Sequence, residues 1–299
     1  MTDVWSQRAE AYRHSDAHSQ GRDLELFAEW AEGTNALDVA TGGGNVARVL
    51  DEAGLEVVTI DSAPGMNGGV AFLYTIPTFQ NPSGRSLSVD RRKGLAERAR
   101  DGLLVLEDDP YRHIRFEGEP PPTIFELARG ENVLYSSSFS KSIAPGPRVG
   151  YLVLPTVLAE RVLAAATASY ITPGLLSQAV IYEFVRRGSF EPNLERVNGL
   201  LRERRDAMVS ALGRHLPEAT WNVPEGGYFV WLDLPEGIKA SDLHPEGVTF
   251  VAGTDFFCGP GGESALRLAF SYESPTAIEE GVRRLASAVR AAIVLNRAA

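Results

Sequence analysis

One cysteine, Cys258, is all that the 299 residues contain, so no internal disulfide can form. Basic residues are in deficit: 29 Lys and Arg stand against 39 Asp and Glu, a formal net charge of −10. No run of like charge relieves that balance, and a partner with a phosphate backbone needs a clustered positive surface, so nucleic acid and anionic membrane are set aside. The opening MTDVWSQRAEAYRHSD lacks the basic-then-apolar layout of a secretory leader, and no stretch approaches the ~18 consecutive apolar residues of a bilayer span. A cytoplasmic protein is expected. The histidines His14, His18, His113, His215 and His244 fall at no metal-ligand spacing, so no metal site is expected either.

What is present is enough apolar material, 44% of residues, for two domains of ordinary size. The pattern begins with an amphipathic helix near Gly21 to Glu32 and a strand at Ala36 to Val39. A glycine turn, a second helix and a strand at Glu56 to Ile60 then complete half of a Rossmann-like unit. After the turn-rich SAPGMNGG it restarts with the strand VAFLYTI, the turn NPSG, a helix through Arg91 to Asp101, and the strands LLVLEDD, NVLYSSS and VGYLVLP. Strands separated by helices or long connections imply an α/β domain with a largely parallel sheet. Leu175 to Leu216 reads as helix with a break at Gly188-Ser189, long enough to carry the chain to another domain. The strands GGYFVWLDL, GVTFVAG and SALRLAFS and a helix from Pro275 to Ala292 then suggest a smaller α+β domain. The expected division is 1–66, 67–190 and 191–299.

Lysine is scarce too. Of Lys93, Lys141 and Lys239, the first sits in a polar RRKG helix face and the last in a polar turn. Lys141 instead follows the strand NVLYSSS, at the carboxyl end of a sheet strand, where α/β folds place ligands. Partial burial there lowers an amine's pKa and favours imine chemistry. Around it stand the hydroxyls of Ser138 and Ser140, and Arg148, whose fork can grip a phosphate. Asp108, at the end of LLVLEDD, could pair with a pyridinium nitrogen; Tyr111, three residues on, and Asn81 in NPSG could reach a phenolate oxygen.

Taken in order, TIPTFQNPSG, EDDPY, SFSKSIAPGPRVG, PEGGYFVWLDLP and ALRLAFS resemble the signature set of the class I/II, fold type I, aminotransferases over about residues 70–292. The wording is similar to their 2-aminoadipate and kynurenine branch. The resemblance implies pyridoxal 5′-phosphate as cofactor and Lys141 as its internal aldimine and general acid/base, with Asp108 on the pyridinium and Asn81 and Tyr111 on the ring oxygen. It also implies Ser138, Ser140 and Arg148 on the phosphate, and Arg267, in ALRLAFS, with Asn81 at the substrate α-carboxylate. The implied reaction moves an amino group between an amino acid and a 2-oxo acid, 2-oxoglutarate among the acceptors, in a homodimer.

The chain departs from that family at its start. The substrate-gating arm, glycine-serine phosphate loop and stacking aromatic ring that precede NPSG in the family are not recognisable. In their place stands ALDVATGGG, with Asp61 at the end of the next strand, which resembles the first half of a class I S-adenosylmethionine methyltransferase. Asp38, Gly42, Gly44 and Asp61 are its implied binding residues, because glycines let backbone approach a ligand and a strand-end acid can take ribose hydroxyls. The seam is expected between Asp61 and Val70. An active aminotransferase, a cofactor-binding remnant or fusion product that turns nothing over, and a methyltransferase stay open at this point. Because a large domain missing its first strands would expose a sheet edge, the strands at Ala36 to Val39 and Glu56 to Ile60 are expected to extend the sheet.

Overall fold

The computed structural model describes residues 35–39, 56–59, 70–257 and 260–298. Six strands form the first sheet in the order β2-β1-β3-β4-β5-β6: β1 Asn35–Val39, β2 Glu56–Thr59, β3 Val70–Thr75, β4 Leu104–Asp108, β5 Val133–Ser138 and β6 Gly150–Val153. Neighbours are parallel except β6, which runs antiparallel to β5. The two early strands do extend the sheet: Leu37 stands opposite Leu73 of β3 and Val58 of β2. The two helices expected in residues 1–66, the glycine turn and Cys258 lie outside the described residues.

One sheet face closes over Leu73, Val105 and Val133, which pack with Ala96 and Ala99 of α1 (Val89–Arg100) and Ile124 and Ala128 of α2 (Ile124–Ala128). Both helices start where a hydroxyl caps them. Ser88 accepts from the Arg91 amide, and Thr123 and Glu126 form a reciprocal capping box. After β5 comes one short turn of helix, α3 (Phe139–Ser142), and after β6 comes α4 (Thr156–Tyr170), a helix without a counterpart in the sequence reading. It has no side-chain cap and buries none of its residues, so neither a cap signal nor a sided apolar stripe marks it.

The long helical stretch divides into α5 (Leu175–Arg186) and α6 (Phe190–His215), and Gly188, at φ 69°, makes the break. Helices α6 and α7 (Pro275–Ala298) then cover a second, antiparallel sheet ordered β7-β8-β10-β9: β7 Thr220–Trp221, β8 Phe229–Asp233, β9 Val251–Ala252 and β10 Ala265–Ala269. Its core joins Met208, Ala211 and Leu212 of α6 and Leu285 and Val289 of α7 to Val230, Leu232, Leu266 and Leu268 of the sheet. The strand expected over GVTFVAG shrinks to two residues, because β9 finds partners only at Leu266 and Arg267 of β10. Among the described residues no helix is long and apolar enough to cross a membrane.

Candidate active site

The parallel strands β3, β4 and β5 end side by side, and their carboxyl ends deliver most of the chemistry. At the end of β4 three acids follow one another, Glu107 and Asp108 on the strand and Asp109 just beyond it, and the period of two sends neighbours to opposite faces. Glu107 and Asp109 turn inward, fully buried, where Arg92 stands 3.9 Å from Glu107 and Arg112 stands 3.7 Å from Asp109. Asp108 takes the other face and accepts a hydrogen bond from the Tyr74 hydroxyl at 2.8 Å. Burial pushes the Asp108 carboxyl up to about 6, against the pull of hydrogen bonds from Tyr74 and Ser136. An ionised Asp108 therefore lacks sufficient positive charge nearby.

Lys141 lies on α3. The Ser138 hydroxyl caps that turn by accepting from the Ser140 amide at 3.0 Å. The Lys141 ammonium nitrogen, Nζ, sits 5.7 Å from the ring centroids of both Tyr111 and Tyr228. Burial lowers its pKa, and the guanidinium groups of Arg148 and Arg267 lower it further, while Asp108 opposes them. A larger fraction of the amine is thereby neutral and nucleophilic. The other two lysines are half exposed and ion-paired, Lys93 with Asp90 at 3.6 Å and Lys239 with Glu263 at 2.8 Å.

Tyr228 does more than pack. Its hydroxyl donates to the Lys141 carbonyl at 2.7 Å, and its ring meets Tyr111 edge-on with centroids 5.6 Å apart. Replacing Tyr228 with Phe keeps the ring and deletes that one bond. The expected result is a loss of about 1 kcal/mol in urea unfolding with unchanged secondary structure. Wild-type stability would mean that the bond contributes nothing to holding α3.

The antiparallel pairing of β5 with β6 sets Ser138 opposite Gly150 and brings Arg148 back to the lysine turn, where its Nη1 lies 3.5 Å from the Ser140 hydroxyl. Ser138, Ser140 and Arg148 are thus brought together. The Ser138 hydroxyl also donates to the Val149 carbonyl at 3.3 Å, so it already has backbone partners on both sides. A second pairing spans the two sheets: Arg267 of β10 donates to Asn81 Oδ1 at 2.7 Å, across 186 residues of sequence. Leu266 and Leu268 point into the core, and Arg267 faces the other way, its guanidinium 4.4 Å from the Phe229 ring centroid. The loop bearing Asn81 packs so tightly on the Gly226-Gly227 turn that a Cβ at Gly226 would collide with the Phe79 ring and the Ile114 carbonyl.

All seven residues expected around Lys141 and the carboxylate position, Asn81, Asp108, Tyr111, Ser138, Ser140, Arg148 and Arg267, therefore converge with it. Tyr74, Tyr228 and Phe229 belong to the same cluster and were missed. Strand alternation held the signal for Tyr74, which lies between the buried Leu73 and Thr75 and faces the opposite way, as Asp108 does on β4. Of the residues matched to a methyltransferase, Asp38 is described only as part of β1, and Gly42, Gly44 and Asp61 lie outside the described residues.

Residues 59–285 match the family described as aminotransferase class I and II. That match begins before the seam expected between Asp61 and Val70. A 2-aminoadipate transaminase from Thermus thermophilus is 42% identical over 234 residues, which are 75% of this chain and 58% of that protein. An aromatic-amino-acid aminotransferase from Thermococcus litoralis is 34% identical over 227 residues, 74% of this chain and 54% of its own length. The chain thus spans just over half the length of these curated relatives. The crystal structure of the α-aminoadipate aminotransferase LysN from Thermus thermophilus, complexed with N-(5′-phosphopyridoxyl)-L-leucine, superposes with a TM-score of 0.82 at 34% identity, covering 92% of this chain and 76% of that one.

Proposed function

Because the chain belongs to the class I and II aminotransferases, we propose that it transfers an amino group between an amino acid and a 2-oxo acid with pyridoxal 5′-phosphate held at Lys141. The observation that carries this reading is the convergence of a desolvated lysine, a half-buried acid and an arginine–asparagine pair at one set of strand ends. The residues fit the cofactor. Asp108 is a half-buried carboxyl whose surroundings raise the cost of ionising it, and a pyridinium nitrogen is the cation that would offset it. The cofactor supplies the electron sink for the substrate α-carbon.

The protein's own groups do the rest. Ser140 and Arg148, with the Ser138 turn, would hold the phosphate, and Tyr111 and Asn81 would hold the ring oxygen. Arg267, steadied by Asn81, takes the substrate α-carboxylate in a bidentate grip. The Lys141 amine, its pKa lowered by burial and by the two arginines, moves the proton at the α-carbon. Tyr111, Tyr228 and Phe229 form an aromatic cluster beside Lys141 and contribute to the burial that lowers its pKa. The proposal includes 2-oxoglutarate as acceptor, a homodimer, a cytoplasmic location, and the division at 66 and 190.

The test is a titration of the purified protein with pyridoxal 5′-phosphate. A visible absorption band should appear, borohydride should fix the cofactor to the peptide containing Lys141, and transfer should then be found among 2-aminoadipate and aromatic donors. A protein that develops no band, or whose label maps elsewhere, overturns the reading.

A further inference from the structure

Asn81 sits on the loop between β3 and α1, and the loop is closed by its own bonds. The Gln80 amide donates to the Arg85 carbonyl at 2.9 Å, the Leu87 amide to the Pro77 carbonyl at 2.8 Å, and the Phe79 amide to the Ser86 hydroxyl at 3.1 Å. Beneath the loop lies Arg92, in the first turn of α1, with no exposed surface at all. Its Nε donates to the Leu87 carbonyl at 3.0 Å, and its Nη2 donates to the Pro77 carbonyl at 2.6 Å and to Thr78 Oγ1 at 3.0 Å. One guanidinium therefore ties both ends of the loop.

The support continues below. Arg92 Nη1 stands 3.9 Å from Glu107 Oε1, and the Glu107 carboxylate is itself held by the Ile124 and Phe125 amides at 2.9 and 2.8 Å. Burying an arginine and a glutamate costs several kcal/mol before their attraction is counted, and an apolar pair would fill the same space at least as stably. Stability alone does not explain the pair. What an apolar pair could not do is hold the two ends of a loop by directed bonds, and a lysine, a point charge, could reach only one of them.

We propose that Arg92 is the positioning residue of the carboxylate clamp: by pinning residues 77–87 it sets Asn81, and through the Asn81–Arg267 bond it aims the Arg267 fork. The part that concerns substrate rests on the proposed amino transfer; the pinning of the loop does not. Arg92 touches neither Lys141 nor the Ser138–Arg148 cluster, so it reaches the cofactor only through Asn81, one of two groups at the ring oxygen, and its main effect falls on the clamp.

Hydrogen exchange on the cofactor-free Arg92→Lys protein is the first test. The amides of Gln80, Gly84 and Leu87 should exchange about tenfold faster or more, with the Val105 amide of β4 as protected as in the wild type. In protein loaded with pyridoxal 5′-phosphate, the Kd for 2-oxoglutarate should rise about tenfold, while that for the cofactor, which loses only the Asn81 contact, should rise less, by about threefold. Unchanged loop exchange, acceleration shared equally by Val105, or an equal loss of both affinities overturns the proposal. Should Arg92→Lys fail to fold, the pair Arg92→Met with Glu107→Gln, which removes both buried charges, is read by the same measurements and judged the same way. A wild type that takes up no pyridoxal 5′-phosphate overturns the proposed function, and loop exchange still judges Arg92.

Discussion

Replacing Lys141 with Ala is expected to lower kcat for amino transfer by about 10³-fold or more, to abolish borohydride labelling, and to leave the fold intact. A positioned proton-transfer group contributes roughly 10²–10⁴-fold, and here the same side chain is also the covalent anchor, so both roles vanish together. The fold should survive because the Lys141 atom that helps build it is the backbone carbonyl taking the Tyr228 hydroxyl, and alanine keeps that carbonyl. Lys93 and Lys239 are built-in controls. Each is exposed and paired with a carboxylate, far from the groups that gather around Lys141. Peptide mapping after reduction decides the matter: label on either control lysine, or turnover retained in Lys141→Ala with unchanged circular dichroism, would sink the assignment.

The place of Lys141 at the end of β5 was legible because the strand NVLYSSS runs straight into it, and lysine scarcity singled it out as a candidate. The strands at β1 and β2 were legible for a different reason, since a truncated sheet must cover its edge and those two apolar runs were the material at hand. Sequence alone was weakest where a residue's partner lies far along the chain. Tyr74 meets Asp108 across 34 residues and Tyr228 meets Lys141 across 87, and nothing in either one's local window records the pairing. Arg92 is the sharpest case. It stands in RRKG, which reads as a solvated helix face, yet it is fully buried, because the loop over it presents carbonyls that only a long donor can reach. Helix α4 escaped notice because apolar residues surround it without a preferred side and no residue caps it.

Among the three consecutive acids at the end of β4, alternation separates Asp108 from its neighbours, and that separation yields the second large expectation. Asp108→Asn should cost activity and improve stability in the same molecule. The Asp108 carboxyl is raised from 3.8 to about 6 in the folded chain, so between roughly pH 4 and pH 6 the folded state holds a proton that the unfolded state has released. Stability then falls as pH rises through that window, by an amount on the order of 2–3 kcal/mol at most, and the loss is complete above pH 6. Asparagine does not titrate. The cofactor-free variant should match the wild type near pH 4 and exceed it at pH 7 in thermal or urea unfolding; Glu107, raised to about 7, is common to both proteins and cancels in the comparison. With pyridoxal 5′-phosphate bound the order reverses, because the ionised carboxylate now has a pyridinium partner and breaking such a buried pair costs about 3–5 kcal/mol, a loss of at least about 10²-fold in kcat/KM. Wild-type affinity for the cofactor should also gain on that of Asp108→Asn as pH rises from 5 to 7. A variant no more stable than wild type at pH 7, with kcat/KM within tenfold, would place the pyridinium partner elsewhere and leave Asp108 as the Tyr74 acceptor alone.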